Sequence, residues 1–87
     1  MYKRLGPIKK IFSSGVSSIN IFPNNDLLIG AGDGKIAKIA FRNFYLISEC
    51  DLKGGITSTV FSNDHANFYC GTNLNNIYNI NSDNFKS

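Results

Sequence analysis

The feature that most constrains this chain is a stretch that occurs twice. Asp26 to Ala40, DLLIGAGDGKIAKIA, reads as one β-hairpin. Leu27, Leu28 and Ile29 form a short apolar run, and Gly30, Ala31 and Gly32 allow close backbone approach. Asp33-Gly34 is a strong hairpin signal, because a type I′ turn needs φ > 0 at both central residues. Lys35 to Ala40 resumes an extended run. Asn67 to Asn81, NFYCGTNLNNIYNIN, is a blurred copy.

The likeness extends beyond the hairpin. Gly15-Val16-Ser17-Ser18 matches Gly55-Ile56-Thr57-Ser58 at an offset of 40 (55 − 15). Gly30 matches Gly71, Ile36 matches Ile77, Ile39 matches Ile80 and Phe44 matches Phe85 at 41 (71 − 30). The one-residue drift falls in a turn, where insertions are tolerated.

Around these anchors the chain reads as short strands between turns. Val16 to Phe22 alternates, with Val16, Ser18, Asn20 and Phe22 on one side and Ser17, Ile19 and Ile21 on the other. Its β-branched content favours a strand. Pro23-Asn24-Asn25-Asp26 is a dense turn signal. After the hairpin, Phe41 to Phe44 turns, with Asn43 the candidate for a left-handed residue. Tyr45 to Leu52 is the fourth strand, and Lys53-Gly54-Gly55 turns. Ile56 to Phe61, Phe68 to Cys70 and Ile77 to Ile80 repeat the first three strands. No segment holds helical periodicity over ten or more residues, so the reading is all-β.

A period of about 40 with four short antiparallel strands is the signature of a propeller blade. Residues 1–12 would hold the outer strand of a preceding blade, at Ile8 to Phe12. Residues 13–52 would be one complete blade, and 53–87 three strands of the next. That is a partial propeller of about two blades, a piece of something larger. A closed barrel around Ile19, Ile36 and Ile77, or a small sandwich, is the competing fold.

Composition narrows the function. At 87 residues the chain is one small domain at most. Hydrophobic content of 43% against 17% charged is too apolar for disorder. No apolar run is long enough for a transmembrane helix, and Met1 to Gly6 opens no signal peptide. Cys50 and Cys70 are too few, with His65 alone, to build a metal site, and read as buried free thiols suited to a reducing compartment. The net charge of +3 comes from scattered lysines and arginines. Lys3-Arg4 and Lys9-Lys10, with tyrosine and phenylalanine stacking, would serve a small nucleic-acid-binding module, a reading the scatter disfavours.

The blade pattern resembles the WD-repeat family, in degenerate form. Ser14-Gly15 and Gly54-Gly55 stand where a Gly-His pair precedes the inner strand. Asp33 stands at the family's turn Asp, with Leu74 at the matching place downstream. Ile39-Ala40 and Ile80-Asn81 replace Trp-Asp. Leu27 to Gly34 together with Lys53 to Ser58 is similar to a cilia- and flagella-associated WD-repeat family whose propellers line the inside of the axonemal doublet microtubule. From Lys9 to Lys86 the likeness covers nearly the whole chain. It implies a non-catalytic scaffold segment of the axoneme, in the cytoskeleton of a cilium or flagellum, with tubulin and neighbouring axonemal proteins as partners. A generic WD-type interaction module of a non-ciliary complex is the alternative.

Individual residues fit that expectation. Asp33, Gly34, Gly54 and Gly55 are structural turn residues, Asp33 through bonds to local backbone. Gly30, Gly32 and Gly34 spell G-x-G-x-G, but a phosphate loop needs a helix to follow and a strand follows here. Neither the serines nor Asp64-His65 form a triad, and His65 is expected to be exposed. No acid–base, metal or cofactor set converges, so no catalysis is expected. Glu49 and Asp51 share one face of the fourth strand. Phe41, Phe44, Tyr45, Tyr69, Tyr78 and Phe85 are expected mostly between blades, and any left exposed on the outer rim is a contact candidate.

Overall fold

The structure, a computed structural model, describes residues 14–86. The expected strand at Ile8 to Phe12 lies outside them. The described chain is all-β. Seven strands run in order: β1 (Val16–Ile21), β2 (Leu27–Ala31), β3 (Lys35–Ile39), β4 (Leu46–Asp51), β5 (Ile56–Phe61), β6 (Asn67–Thr72) and β7 (Ile77–Asn81). The first four form one antiparallel meander, β1-β2-β3-β4, and the last three a second, β5-β6-β7. Each strand pairs only with its sequence neighbours, an arrangement consistent with partial propeller blades. The sheets do not close into a barrel, and Ile19 and Ile77 are 60% and 79% exposed.

The repeat seen in the sequence recurs in the backbone. Both first strands carry a bulge at the same point, between Val16 and Ser18 and between Ile56 and Ser58. Left-handed residues also recur. Asn25 and His65 (φ 77 and 61) close the first turn of each sheet, Gly34 and Asn75 (φ 92 and 65) the second, and Phe44 and Phe85 (φ 57 and 56) the third.

Two turns differ from expectation. The Asp33-Gly34 hairpin is not type I′, because only Gly34 has positive φ. The Gly34 N–H donates to the Ala31 carbonyl at 3.1 Å, leaving three loop residues ahead of Lys35. Three-residue hairpin loops end in a left-handed residue, the glycine's part here. In the β3–β4 turn the left-handed residue is Phe44, not Asn43. The Phe44 N–H donates to the Ala40 carbonyl at 2.8 Å, and the Ala40 N–H to the Tyr45 carbonyl at 2.9 Å. Positive φ costs a residue with a Cβ about 1–2 kcal/mol. Burial offsets this: the Phe44 ring joins Ile29, Ala37 and Ile39 on one face of the first sheet. Phe85 repeats the device and packs edge-on against Phe68, with centroids 5.2 Å apart.

The main core lies between the two sheets. Phe22, Leu28 and Ile36 from the first face Ile56, Phe68, Cys70, Ile80 and Phe85 from the second. The polar side of β1 points into this junction: Thr59 donates to the Asn20 side-chain oxygen and lies 3.3 Å from Ser18 Oγ. Ile19 and Ile21 face outward instead. Lys38 covers the rim of the core, its Nζ 4.5 Å from the Phe22 ring centre, a cation–π contact.

Candidate functional site

At one end of the first sheet, the β1–β2 and β3–β4 turns stand side by side. Asp26 ties them together. Its Oδ1 accepts the Phe41 N–H at 3.2 Å, and its Oδ2 accepts an amide hydrogen from Asn24 at 3.0 Å. Asn24 Oδ1 in turn accepts the Asp26 N–H at 3.1 Å. Beside this linkage is a cavity of 670 Å³ lined by Asn24, Asn25, Asp26, Phe41, Arg42 and Phe44. Phe41 and Tyr45 stay 54% and 58% exposed here. The site therefore offers aromatic surface, one guanidinium and several amides on a braced turn. Aromatic and arginine side chains dominate protein–protein contact energies.

This placement corrects the expectation for the aromatics. Phe85 is buried and Phe44 and Tyr78 are half-buried, but Phe41, Tyr45 and Tyr69 are exposed. His65 is half-buried rather than exposed, because its left-handed backbone lays the ring 4.9 Å from Phe61. The bridge that Asp26 makes between two turns has no local signature beyond the dense Pro23 to Asp26 turn signal.

The four turn residues meet elsewhere, where the β2–β3 loop touches the link into β5. The Lys35 N–H donates to Asp33 Oδ1 at 3.0 Å. A Cβ on Gly34 would collide with the Leu52 carbonyl oxygen and lie 2.9 Å from that of Gly54. Gly54 has φ 90, and a Cβ there would lie 2.9 Å from Leu74 Cγ. Gly55 sits against Gly32, whose oxygen would lie 2.5 Å from a Gly55 Cβ. Gly55 and Asn73 also exchange bonds: Gly55 N–H to Asn73 Oδ1 at 3.0 Å, Asn73 N–H to the Gly55 carbonyl at 2.9 Å.

The charged and thiol groups are placed as follows. Glu49 and Asp51 are both exposed and both flank Lys35, at 3.0 and 3.9 Å. Among the described residues, no three His, Cys, Asp or Glu side chains are grouped to hold a metal. Lys3, Arg4, Lys9 and Lys10 lie outside the described residues. Cys50 and Cys70 are free thiols. Burial, with a lesser effect of Cys50, pushes Cys70 up to about 12. Burial also raises Cys50, with help from Asp51 and Glu49. Thiolate is the reacting form, so at pH 8 Cys70 is expected to stay unreactive towards a disulfide reagent until the chain unfolds. Half-exposed Cys50 should react first and slowly. Rapid titration of both thiols in the folded state would contradict this placement.

The Asp64 carboxylate accepts the Ala66 N–H at 3.0 Å and the Ser62 hydroxyl at 2.9 Å. These bonds hold its pKa below the ordinary aspartate range, the Ala66 bond most. A depressed pKa favours folding above the unfolded value, and the effect is lost as pH falls through the folded value. An NMR titration is expected to show Asp64 as one of the last carboxylates to protonate.

Set beside known proteins, the chain is similar over 81 residues to "Cilia- and flagella-associated protein 52" of Bos taurus, at 38% identity. The chain resembles one segment of a ciliary protein. The mouse protein of the same name is 35% identical over 81 residues. That of the alga Chlamydomonas reinhardtii is 31% identical and matches 90% of this chain. The match covers 93% of this chain for the first two. The chain spans about 13% of the length of these relatives. No protein-family model matches it.

Proposed function

We propose that this chain is a non-catalytic scaffold segment of a cilium or flagellum, built as WD-type propeller blades, and that it makes protein–protein contacts within the axoneme. The observation that carries this reading is similarity across nearly the whole chain to ciliary proteins of a mammal and an alga. The repeated sheets support it, since rigid blades with variable turns suit several contacts at once. Residues 13–52 form one blade on this reading, 53–87 three strands of the next, and 1–12 the outer strand of a preceding one. Asp33, Gly34, Gly54 and Gly55 then serve the joint between blades rather than a ligand. The braced rim at Phe41, Arg42 and Tyr45 is the contact face, with tubulin or a neighbouring axonemal protein as partner.

Co-sedimentation with salt-extracted axonemes tests this. The purified chain is expected to pellet saturably, and a Phe41→Ala, Tyr45→Ala double variant to lose roughly tenfold in affinity, as for two contact aromatics of modest weight. A chain that stays wholly in the supernatant would overturn the proposal. Equal binding by the double variant would move the contact off this rim.

A further inference from the structure

The cavity beside Phe41 and Arg42 has a chemistry that its turns do not require. The same turns occur twice, and their backbones agree: Asn25 and His65 are both left-handed, as are Phe44 and Phe85. Their side chains do not agree. Phe41, Arg42 and Tyr45 correspond to Ser82, Asp83 and Lys86 in the second sheet, and Asn24 corresponds to Asp64. Ser82 is buried where Phe41 is largely exposed. The turn therefore forms without an exposed aromatic or an arginine. The cavity is made by two turns at the strand ends, not by either outer face of the sheets. Of its lining, Phe44 alone packs back onto a sheet face.

The charges in the cavity are unequally committed. The Asp26 carboxylate is used in holding the turns, one oxygen by the Phe41 N–H and the other by the Asn24 amide. Among the described residues Arg42 makes no ion pair, and neither its guanidinium nor the Asn25 amide makes a hydrogen bond. The Phe41 ring stands 6.1 Å from that of Phe44, tilted by 56°, and gives the cavity an apolar wall. A free guanidinium takes a carboxylate through two parallel N–H···O bonds. A neutral ligand would forgo that pairing, and a basic one would be repelled. A volume of 670 Å³ is ample for a carboxylate side chain with a ring beside it.

We propose that this cavity binds an acidic segment of a partner protein. A glutamate or aspartate carboxylate pairs with Arg42 and takes the Asn25 amide, while a neighbouring aromatic side chain packs on Phe41. The inference rests on the reading of this rim as the contact face and adds the chemistry of what it holds. The second sheet carries Asp64 and Asp83 at the matching positions and rejects the same segment.

Titration of the ¹⁵N-labelled chain with a blocked peptide of one tyrosine between two pairs of glutamates tests it. The amides of Asn25, Phe41 and Arg42 are expected to shift saturably, and that of Asp83 to stay in place. A peptide with glutamine for every glutamate should bind about tenfold more weakly or worse, as should Arg42→Gln towards the original peptide. Arg42→Lys keeps the charge without the fork and should fall between. No saturable shift, equal binding of the two peptides, or shifts centred on Asp83 would overturn the proposal. The peptide comparison needs no variant, so it decides the matter even if Arg42→Gln disturbs the turn. Axoneme pelleting separates the two readings. A chain that selects the glutamate peptide but stays in the supernatant keeps this inference and loses the ciliary one. A chain that pellets but binds both peptides alike does the reverse.

Discussion

Phe68→Ala is expected to destabilise the chain by about 3–5 kcal/mol. Phe68 is fully buried at the centre of the junction, with Phe85 against its edge and Leu28 and Ile36 across from it. Truncation removes the transfer free energy of the ring and leaves a cavity that two braced sheets cannot close. It also strands Phe85, whose left-handed backbone is offset only by burial of its ring. Small domains hold about 5–15 kcal/mol in all, so the variant should melt far below the wild type in thermal or urea unfolding followed by circular dichroism. A loss under about 1 kcal/mol would mean that the junction is not the main core.

The second large effect is at Gly34. Gly34→Ala is expected to cost about 2–4 kcal/mol, combining left-handed strain with crowding. The repeat separates the two causes. Asn75 takes the same turn position at φ 65 and carries a side chain, so the backbone angle alone does not demand glycine. The Leu52 and Gly54 carbonyls crowd Gly34 and make the difference. Gly55 and Gly15 give a matched comparison at ordinary φ. Gly55→Ala meets the Gly32 carbonyl and should cost about 1–3 kcal/mol. Gly15→Ala has nothing within 4 Å and should stay within about 0.5 kcal/mol in dilute solution. Equal effects at the two positions would contradict the packing of the β2–β3 loop on the link into β5.

The strands were legible because the repeat supplied two views of each. Ile36 and Ile77, or Phe44 and Phe85, confirmed one another where a single copy was ambiguous. Strand limits shifted by a residue or two, most at β6, which begins at Asn67 and ends at Thr72 where asparagine, glycine and threonine obscure the pattern. The direction of β1 was not legible. Burial follows alternation only when the polar side is solvated, and here the polar side is the joint, with Asn20 and Thr59 bonded to each other. Turn chemistry misled for a related reason. Asp-Gly favours a two-residue turn locally, and Asn43 favours the left-handed region, but loop length and the burial of the Phe44 ring prevailed. Exposure of Phe41 and Tyr45 depends on which elements pack nearby, and no local pattern carries that. The bracing of their turn by Asp26, fifteen residues before Phe41, is equally non-local.

The Asn20–Thr59 contact also fixes the order of the units. If two copies of the first sheet stacked on each other, the Asn20 amide would be buried against Ile19 with no partner, at a cost of about 1–3 kcal/mol. If two copies of the second stacked, Thr59 would lose its acceptor against Val60. Each sheet is thus a poor neighbour for its own kind and a good one for the other. One pair of side chains per joint acts as an address, so a stack of nearly identical hairpins can assemble in a single order without shuffling.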